Sequence, residues 1–210
     1  PPHLRDYGFL RKVAATITDR RGDEVVFGDG FFEAFFEHRI CTLTGNLMVR
    51  RDAGGRVQPF AENFTWGDIT EYWFRLCRRH RVGFIDEPLF DYHRYRSVLT
   101  RRHFEDGLTS YIRLEAGLAE ELQREGRATP RFIALIHRRV AYYYASQGWY
   151  LIHAGAPREA RDRFWRGLGF NRAEVRCYAG LAVSCVPAPQ FRRLRRAKRL
   201  VAGAVSQILG

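Results

Sequence analysis

The chain has 210 residues, with 35 Lys plus Arg against 23 Asp plus Glu, a formal charge of +12 and four Cys. That length allows one large domain or two small ones around a buried core, and 46% hydrophobic with 14% aromatic residues exclude a disordered chain. No apolar run approaches the ~18 residues of a membrane span.

Residues 12–19 (KVAATITD) form a partly alternating, β-branched run that ends in a Gly turn before residues 24–27 (EVVF), which predicts a hairpin. Phe31, Phe32, Phe35 and Phe36 have the i, i+1, i+4, i+5 spacing of an amphipathic helix over 30–38. Residues 40–52 (ICTLTGNLMVRRD) read as a short loop leading into a strand, closed by the Gly54-Gly55 turn. A helix is predicted from Asp68. It carries Ile69, Tyr72, Trp73, Leu76 and Cys77 on one face and Glu71, Arg75, Arg78 and Arg79 on the other. VGFI (82–85) and PLFDYHRY (88–95) read as two further strands. From His103 onward the pattern is helical, with breaks at 126–130, 155–157, 169–171 and 187–189. Residues 157–182 resemble one tetratricopeptide hairpin; an array needs about three repeats at a ~34-residue period, and a single unit is found.

Charge divides the chain at the same place. Residues 1–100 carry 15 basic and 14 acidic side chains, residues 101–210 carry 20 and 9, and 33 of the 35 basic residues are Arg. The densest run is Arg192, Arg193, Arg195, Arg196, Lys198 and Arg199. It reads either as a phosphate-seeking tail, for lipid headgroups or nucleic acid, or as a solvated helix face. Leu194, Val201, Val205 and Ile208 fall near one stripe of the same segment, the form of a helix lying on an anionic membrane surface or packed on its neighbours. The expected organisation is a mixed α/β part over 1–100 and an all-α extension over 101–210.

Cys41, Cys77, Cys177 and Cys185 form no Cys-x-x-Cys pair and no His clusters beside them, so a structural zinc site is not expected. They read as reduced core thiols, suited to a cytoplasm. The Pro1-Pro2 start shows neither Met nor a charged-then-apolar leader, giving the expectation of a non-secreted chain that is a piece of a longer one. The P-loop, Rossmann, zincin and α/β-hydrolase signatures are all missing.

Three segments could carry chemistry. Asp68, at a helix start behind the loop aromatic Trp66, could take a proton from a hydroxyl as a general base. With Glu71 three residues on, it equally has the form of a capping box. Thr44-Gly45-Asn46 offers close backbone approach and hydrogen bonds to a ligand, or is an ordinary turn. His93-Arg94-Tyr95-Arg96 could neutralise a diphosphate, or be a solvated strand tip.

In their order and spacing these segments resemble the carboxyl-terminal half of a family 2 glycosyltransferase catalytic domain. The resemblance covers residues 41–100: Gly45…Arg50-Arg51, Asp68 with Tyr72, Trp73, Arg75 and Leu76, Val82-Gly83-Phe84-Ile85, Pro88-Leu89 and Tyr92-His93. It implies a partial GT-A-like mixed sheet and an inverting transfer from a nucleotide-sugar donor to a glycan or lipid-linked hydroxyl acceptor. Asp68 would be the catalytic base. Thr44, Gly45, Asn46 and Trp66 would line the acceptor side, and His93 and Arg94 the donor diphosphate. A cytoplasmic location, peripheral at the inner membrane face, goes with it. The resemblance also implies a divalent metal, Mn or Mg, whose ligands are not in this chain. Two departures stand out. Gly67 occupies a place usually acidic. The nucleotide-binding Asp and the Asp-x-Asp are not recognisable upstream of residue 40, where Asp19, Asp23 and Asp29 lie in the wrong context, so the nucleotide-binding half is expected to be missing. The missing Q-x-x-R-W signature favours transfer of single sugars. From a different class, a non-catalytic basic helical adaptor or nucleic-acid-binding module is the alternative.

Overall fold

Rings placed by the sequence at helical and strand spacings organise the first part of the molecule. The structure is a computed structural model that describes residues 8–38, 47–55, 60, 61, 64, 67–87, 89 and 104–186. Two compact units divide it, residues 1–110 and 111–210.

In the first unit a short helix, α1 (Phe9–Val13), passes through a 3₁₀ turn at Ala14–Thr16 into β1 (Ile17–Arg21) and β2 (Glu24–Phe27). The hairpin is the predicted one, but its first strand starts only at Ile17. Thr16 donates its hydroxyl to Val13 O at 2.7 Å, and Val13 is wholly buried, so the start of the β-branched run is drawn into helical turns by its own contacts. Gly22 turns the hairpin with φ 62°, a left-handed conformation open to glycine at little cost. β3 (Val82–Ile85) returns to pair antiparallel with β2, Glu24 opposite Ile85 and Phe27 opposite Val82, giving the order β1-β2-β3.

Above β2 lies α2 (Phe31–Glu37), whose four phenylalanines are all buried. Phe31 stacks on Phe27 with ring centroids 4.3 Å apart. The helix α4 (Asp68–Arg79) adds Phe74, 5.4 Å from Phe32 and 5.5 Å from Phe36, and Trp73, 5.8 Å from Phe35. Each such pair contributes about 0.5–1.5 kcal/mol beyond simple burial.

The expected strand before Asp52 is not formed. Residues 47–50 are irregular and lead into a single helical turn, α3 (Arg51–Gly54). Met48 is 96% exposed, and Arg50 bends back onto Asp52 at 2.9 Å, so the segment has neither a buried face nor a ladder partner among the described residues. The strand expected over 88–95 lies outside the described residues, except Leu89, which belongs to no strand.

The second unit is helical throughout its described part. The helix α5 (Phe104–Glu125) enters from the first unit and is followed by α6 (Pro130–Ala154), α7 (Pro157–Phe170) and α8 (Val175–Ser184). Pro130 and Pro157 stand in the first turns of their helices, where the missing N–H is no loss. Thr129 caps α6 by accepting from Phe132 N at 3.2 Å, and Gly155 closes it at φ 87°. The third break falls later than expected: the helix runs through Gly169 to Phe170 before residues 171–174 interrupt it. The break at 187–189 lies outside the described residues.

Phe164 of α7 is completely buried. A β-carbon at Gly148 of α6 or Gly180 of α8 would overlap its ring, and one at Gly167 would stand 2.8 Å from Cys177 Sγ. Two glycines thus let α6 and α8 close around the Phe164 ring of α7, and the third admits the Cys177 sulfur against α7. The helix, short turn and helix expected over 157–182 are α7 and α8. Among the described residues no helix is long and apolar enough to cross a membrane.

Candidate functional site

The site is built at the start of α4. Gly67 is buried and left-handed, with φ 85° and ψ 5°, a conformation that costs any residue with a β-carbon roughly 1–2 kcal/mol. The backbone at position 67 therefore favours glycine over any other residue. Gly67 O accepts from Glu71 N at 2.8 Å, which makes Gly67 the N-cap and Asp68 the first helical residue.

The expected capping box does not form. Asp68 makes no side-chain cap bond, and Glu71 turns forward to Arg75, accepting from Nε at 2.6 Å and from Nη2 at 2.8 Å. This is a bidentate fork, the strong form of the pair. The Asp68 carboxylate is exposed, and no described residue pairs with it.

Helical period sets Asp68, Glu71, Tyr72 and Arg75 on one face. Tyr72 was expected among the apolar residues; its ring instead lies 4.5 Å from that of Phe60 and beneath the Arg75 guanidinium, 5.5 Å from the ring centre. Its hydroxyl reaches α3, 3.4 Å from where a β-carbon on Gly54 would stand. Phe74 and Leu76, on the two flanks of that face, are the buried residues of the helix, and Phe74 is a core residue that the expected apolar face left out. An exposed carboxylate is thus mounted on a helix held from behind by aromatic packing, beside a ring and a compensated guanidinium.

Of the other expected site residues, Thr44, Gly45, Asn46, Trp66, His93 and Arg94 lie outside the described residues, as does the basic run 192–199. Cys41 lies outside them too. Burial pushes the Cys77 thiol upward and the Cys177 thiol to about 11, so neither is an activated nucleophile. Cys185 is exposed and is not the core thiol expected. For the implied metal, no grouping of three His, Cys, Asp or Glu side chains among the described residues is arranged to hold an ion.

The sequence reading missed one polar cluster. Glu115 of α5 is 1% exposed. Its Oε1 accepts from Arg139 Nη2 at 2.5 Å and from Tyr143 Oη at 3.0 Å, and Arg139 Nη2 also donates to Tyr143 Oη at 3.2 Å. Burial, and next the neighbouring Glu115 charge, hold the Tyr143 hydroxyl protonated up to about 12. Its members are 24 and 28 residues apart along the chain, so no local spacing announces them.

No protein-family model matches the chain, and no curated protein or solved structure matches it either.

Proposed function

We propose that the first unit is the acceptor-side half of an inverting, nucleotide-sugar-dependent glycosyltransferase with a GT-A-like frame, and that the helical unit is its extension. The observation that carries this reading is Asp68: an exposed, unpaired carboxylate on the first turn of a rigidly backed helix, within the segment that resembles family 2 enzymes.

In this reading the acceptor hydroxyl gives its proton to an Asp68 carboxylate oxygen as the hydroxyl oxygen bonds to the anomeric carbon. The bond from that carbon to the donor diphosphate breaks in the same displacement, and the electron pair leaves with the nucleoside diphosphate. His93 and Arg94 would balance the departing charge, while Trp66 and Thr44, Gly45 and Asn46 would line the acceptor side. The acceptor is a glycan or lipid-linked hydroxyl, met at the cytoplasmic face of the membrane, and the donor-binding half is supplied from outside this chain.

Turnover of a nucleotide-sugar by the chain joined to an amino-terminal donor-binding half tests the reading. Asp68→Asn is expected to lower kcat about 10²-fold or more, the scale of a lost general base. Full activity in the variant would remove Asp68 from the chemistry. The 210-residue chain alone is expected to bind UDP, GDP or dTDP with Mn²⁺ only weakly by calorimetry, and a micromolar dissociation constant would overturn the half-domain reading.

A further inference from the structure

We infer that the α6–α8 face centred on Tyr142 and Arg176 docks an acidic peptide segment of a partner protein. This goes beyond the transfer reaction and does not depend on it. Over its 25 residues α6 carries no Asp or Glu. Helical period aligns Arg138, Tyr142, Ser146, Trp149 and His153 along one stripe of it. From α8 the Arg176 guanidinium lies over the Tyr142 ring, 4.5 Å from its centre.

Arg176 is fixed from both sides. Its N–H donates to Glu174 Oε1 at 3.3 Å, and its carbonyl accepts from Trp149 Nε1 at 3.2 Å. Stacking on a ring and a clamped main chain pre-organise the planar donor fork, which lowers the entropy lost when an oxyanion binds. The charge is also uncompensated. Arg75, Arg139 and Arg166 each hold a carboxylate at 2.9 Å or closer. No carboxylate among the described residues lies within ion-pair distance of Arg138 or Arg176, and Glu174 is engaged at the start of α8. The held Arg176 guanidinium over Tyr142, with the exposed Arg138 one turn before Tyr142 on the same stripe, is complementary to a carboxylate-bearing chain, and Arg and Tyr are the side chains on which protein interfaces concentrate their binding energy.

The details select a peptide. From residue 138 to 153 the stripe is about 22 Å long at ~1.5 Å per residue, the span of six or seven extended residues at ~3.3 Å each. Single-stranded nucleic acid relies on open rings for stacking. Here Arg176 covers Tyr142, whose neighbour Tyr143 stands edge-on at 6.1 Å, and Trp149 is turned into the core with its ring 6.0 Å from Phe164. A membrane surface needs a broad apolar face to insert, and along the stripe from Arg138 to His153 the rings of Tyr142 and Trp149 are joined by no aliphatic side chain.

Fluorescence anisotropy of the full 210-residue chain with a labelled octaglutamate peptide tests the proposal. Arg138→Ala with Arg176→Ala is expected to weaken binding about tenfold or more, equivalent to ~1.4 kcal/mol. Arg124→Ala with Arg127→Ala removes the same charge near the end of α5 and is expected to change binding less than about twofold. Arg176→Lys keeps the charge but loses the flat stacked fork, so it is expected to fall between them. Thermal melts of each variant check that the fold is kept. Failure of the unaltered chain to bind the peptide overturns the proposal. So does equal weakening by both double variants, which marks general charge, or an effect of neither, which places the peptide elsewhere. Tighter binding of an eight-nucleotide single strand, lost with Arg138 and Arg176, overturns it in favour of nucleic acid.

Discussion

In the first unit the core is ring against ring: Phe27, Phe31, Phe32, Phe35, Phe36 and Phe74 fill the space between a small sheet and two helices. In the second unit one ring, Phe164, is enclosed by three helices whose approach depends on Gly148 and Gly180. The first arrangement ties together short elements far apart in sequence, since β2 and β3 pair across more than fifty residues. The second joins long helices that follow one another directly. Distant pairing carries a larger loop-closure cost than local helix packing, so the unit bearing Asp68 is expected to open more readily than the α6–α8 unit. Segments that bind or react generally come from the less stable parts of proteins, which makes the opening of the first unit worth measuring against that of the second.

The largest effect that would break this contrast is in the glycine-lined socket. Phe164→Ala is expected to cost about 3–5 kcal/mol, because neighbouring backbones cannot collapse into the vacated space, and Gly148→Ala about 1–3 kcal/mol by overpacking. Phe74→Leu, in a cluster of rings able to readjust, is expected to cost less than about 1.5 kcal/mol. Urea unfolding followed by circular dichroism measures all three. If Phe74→Leu cost as much as Phe164→Ala, the two cores would not differ in kind.

The buried cluster sharpens the contrast, because the second unit buries a linked Glu115–Arg139–Tyr143 network, where the first buries the Asp86 carboxylate beside a half-exposed Arg20 at 3.7 Å. Glu115→Ala leaves Arg139 buried without its carboxylate and is expected to cost about 3 kcal/mol, whereas Glu115→Leu with Arg139→Met is expected to be close to neutral. The same cluster gives a pH dependence. Tyr143 titrates at about 12 in the folded chain against 10 for an ordinary tyrosine, so above pH 10 the unfolded chain loses a proton that the folded one keeps. Its contribution is therefore complete below pH ~10 and is lost as pH rises from there to ~12. Tyr143→Phe is expected to flatten that alkaline loss in unfolding measurements made across the range.

Much of this was legible in the residues and some was not. The Phe31/Phe32/Phe35/Phe36 spacing, the Gly22 turn, the VGFI strand and the Pro and Gly helix ends each act locally, and each element forms where those signals stand. The failures are places where distant contacts decide. Residues 47–52 have a strand's composition but no sheet partner among the described residues. Tyr72 was expected on the apolar face of its helix, yet its ring lies against Phe60 and under Arg75. Glu115, Arg139 and Tyr143 read as separate residues on helices, because only the packing of α5 on α6 brings them together. At the candidate site, the helix start at Asp68 was legible, but the competition for Glu71 between a cap and Arg75 could be resolved only from side-chain geometry.

The smallest expected effect concerns Asp68 and separates its chemistry from its structural role. As a cap, its loss would cost about 1–2 kcal/mol. As the first residue of α4, with Gly67 in the cap position and Glu71 held by Arg75, it contributes only its charge at the helix amino terminus, about 0.3–1 kcal/mol and less in high salt. Asp68→Asn is therefore expected to shift the unfolding midpoint slightly and in a salt-dependent way, while Gly67→Ala, which forces a β-carbon into a left-handed backbone, is expected to cost about 1–3 kcal/mol. A loss near 2 kcal/mol for Asp68→Asn, unchanged by salt, would restore the cap and weaken the case for a carboxylate kept for proton transfer. A small, salt-screened loss leaves that carboxylate with little structural work in the less firm of the two units, the condition under which a change in turnover can be assigned to chemistry rather than to folding.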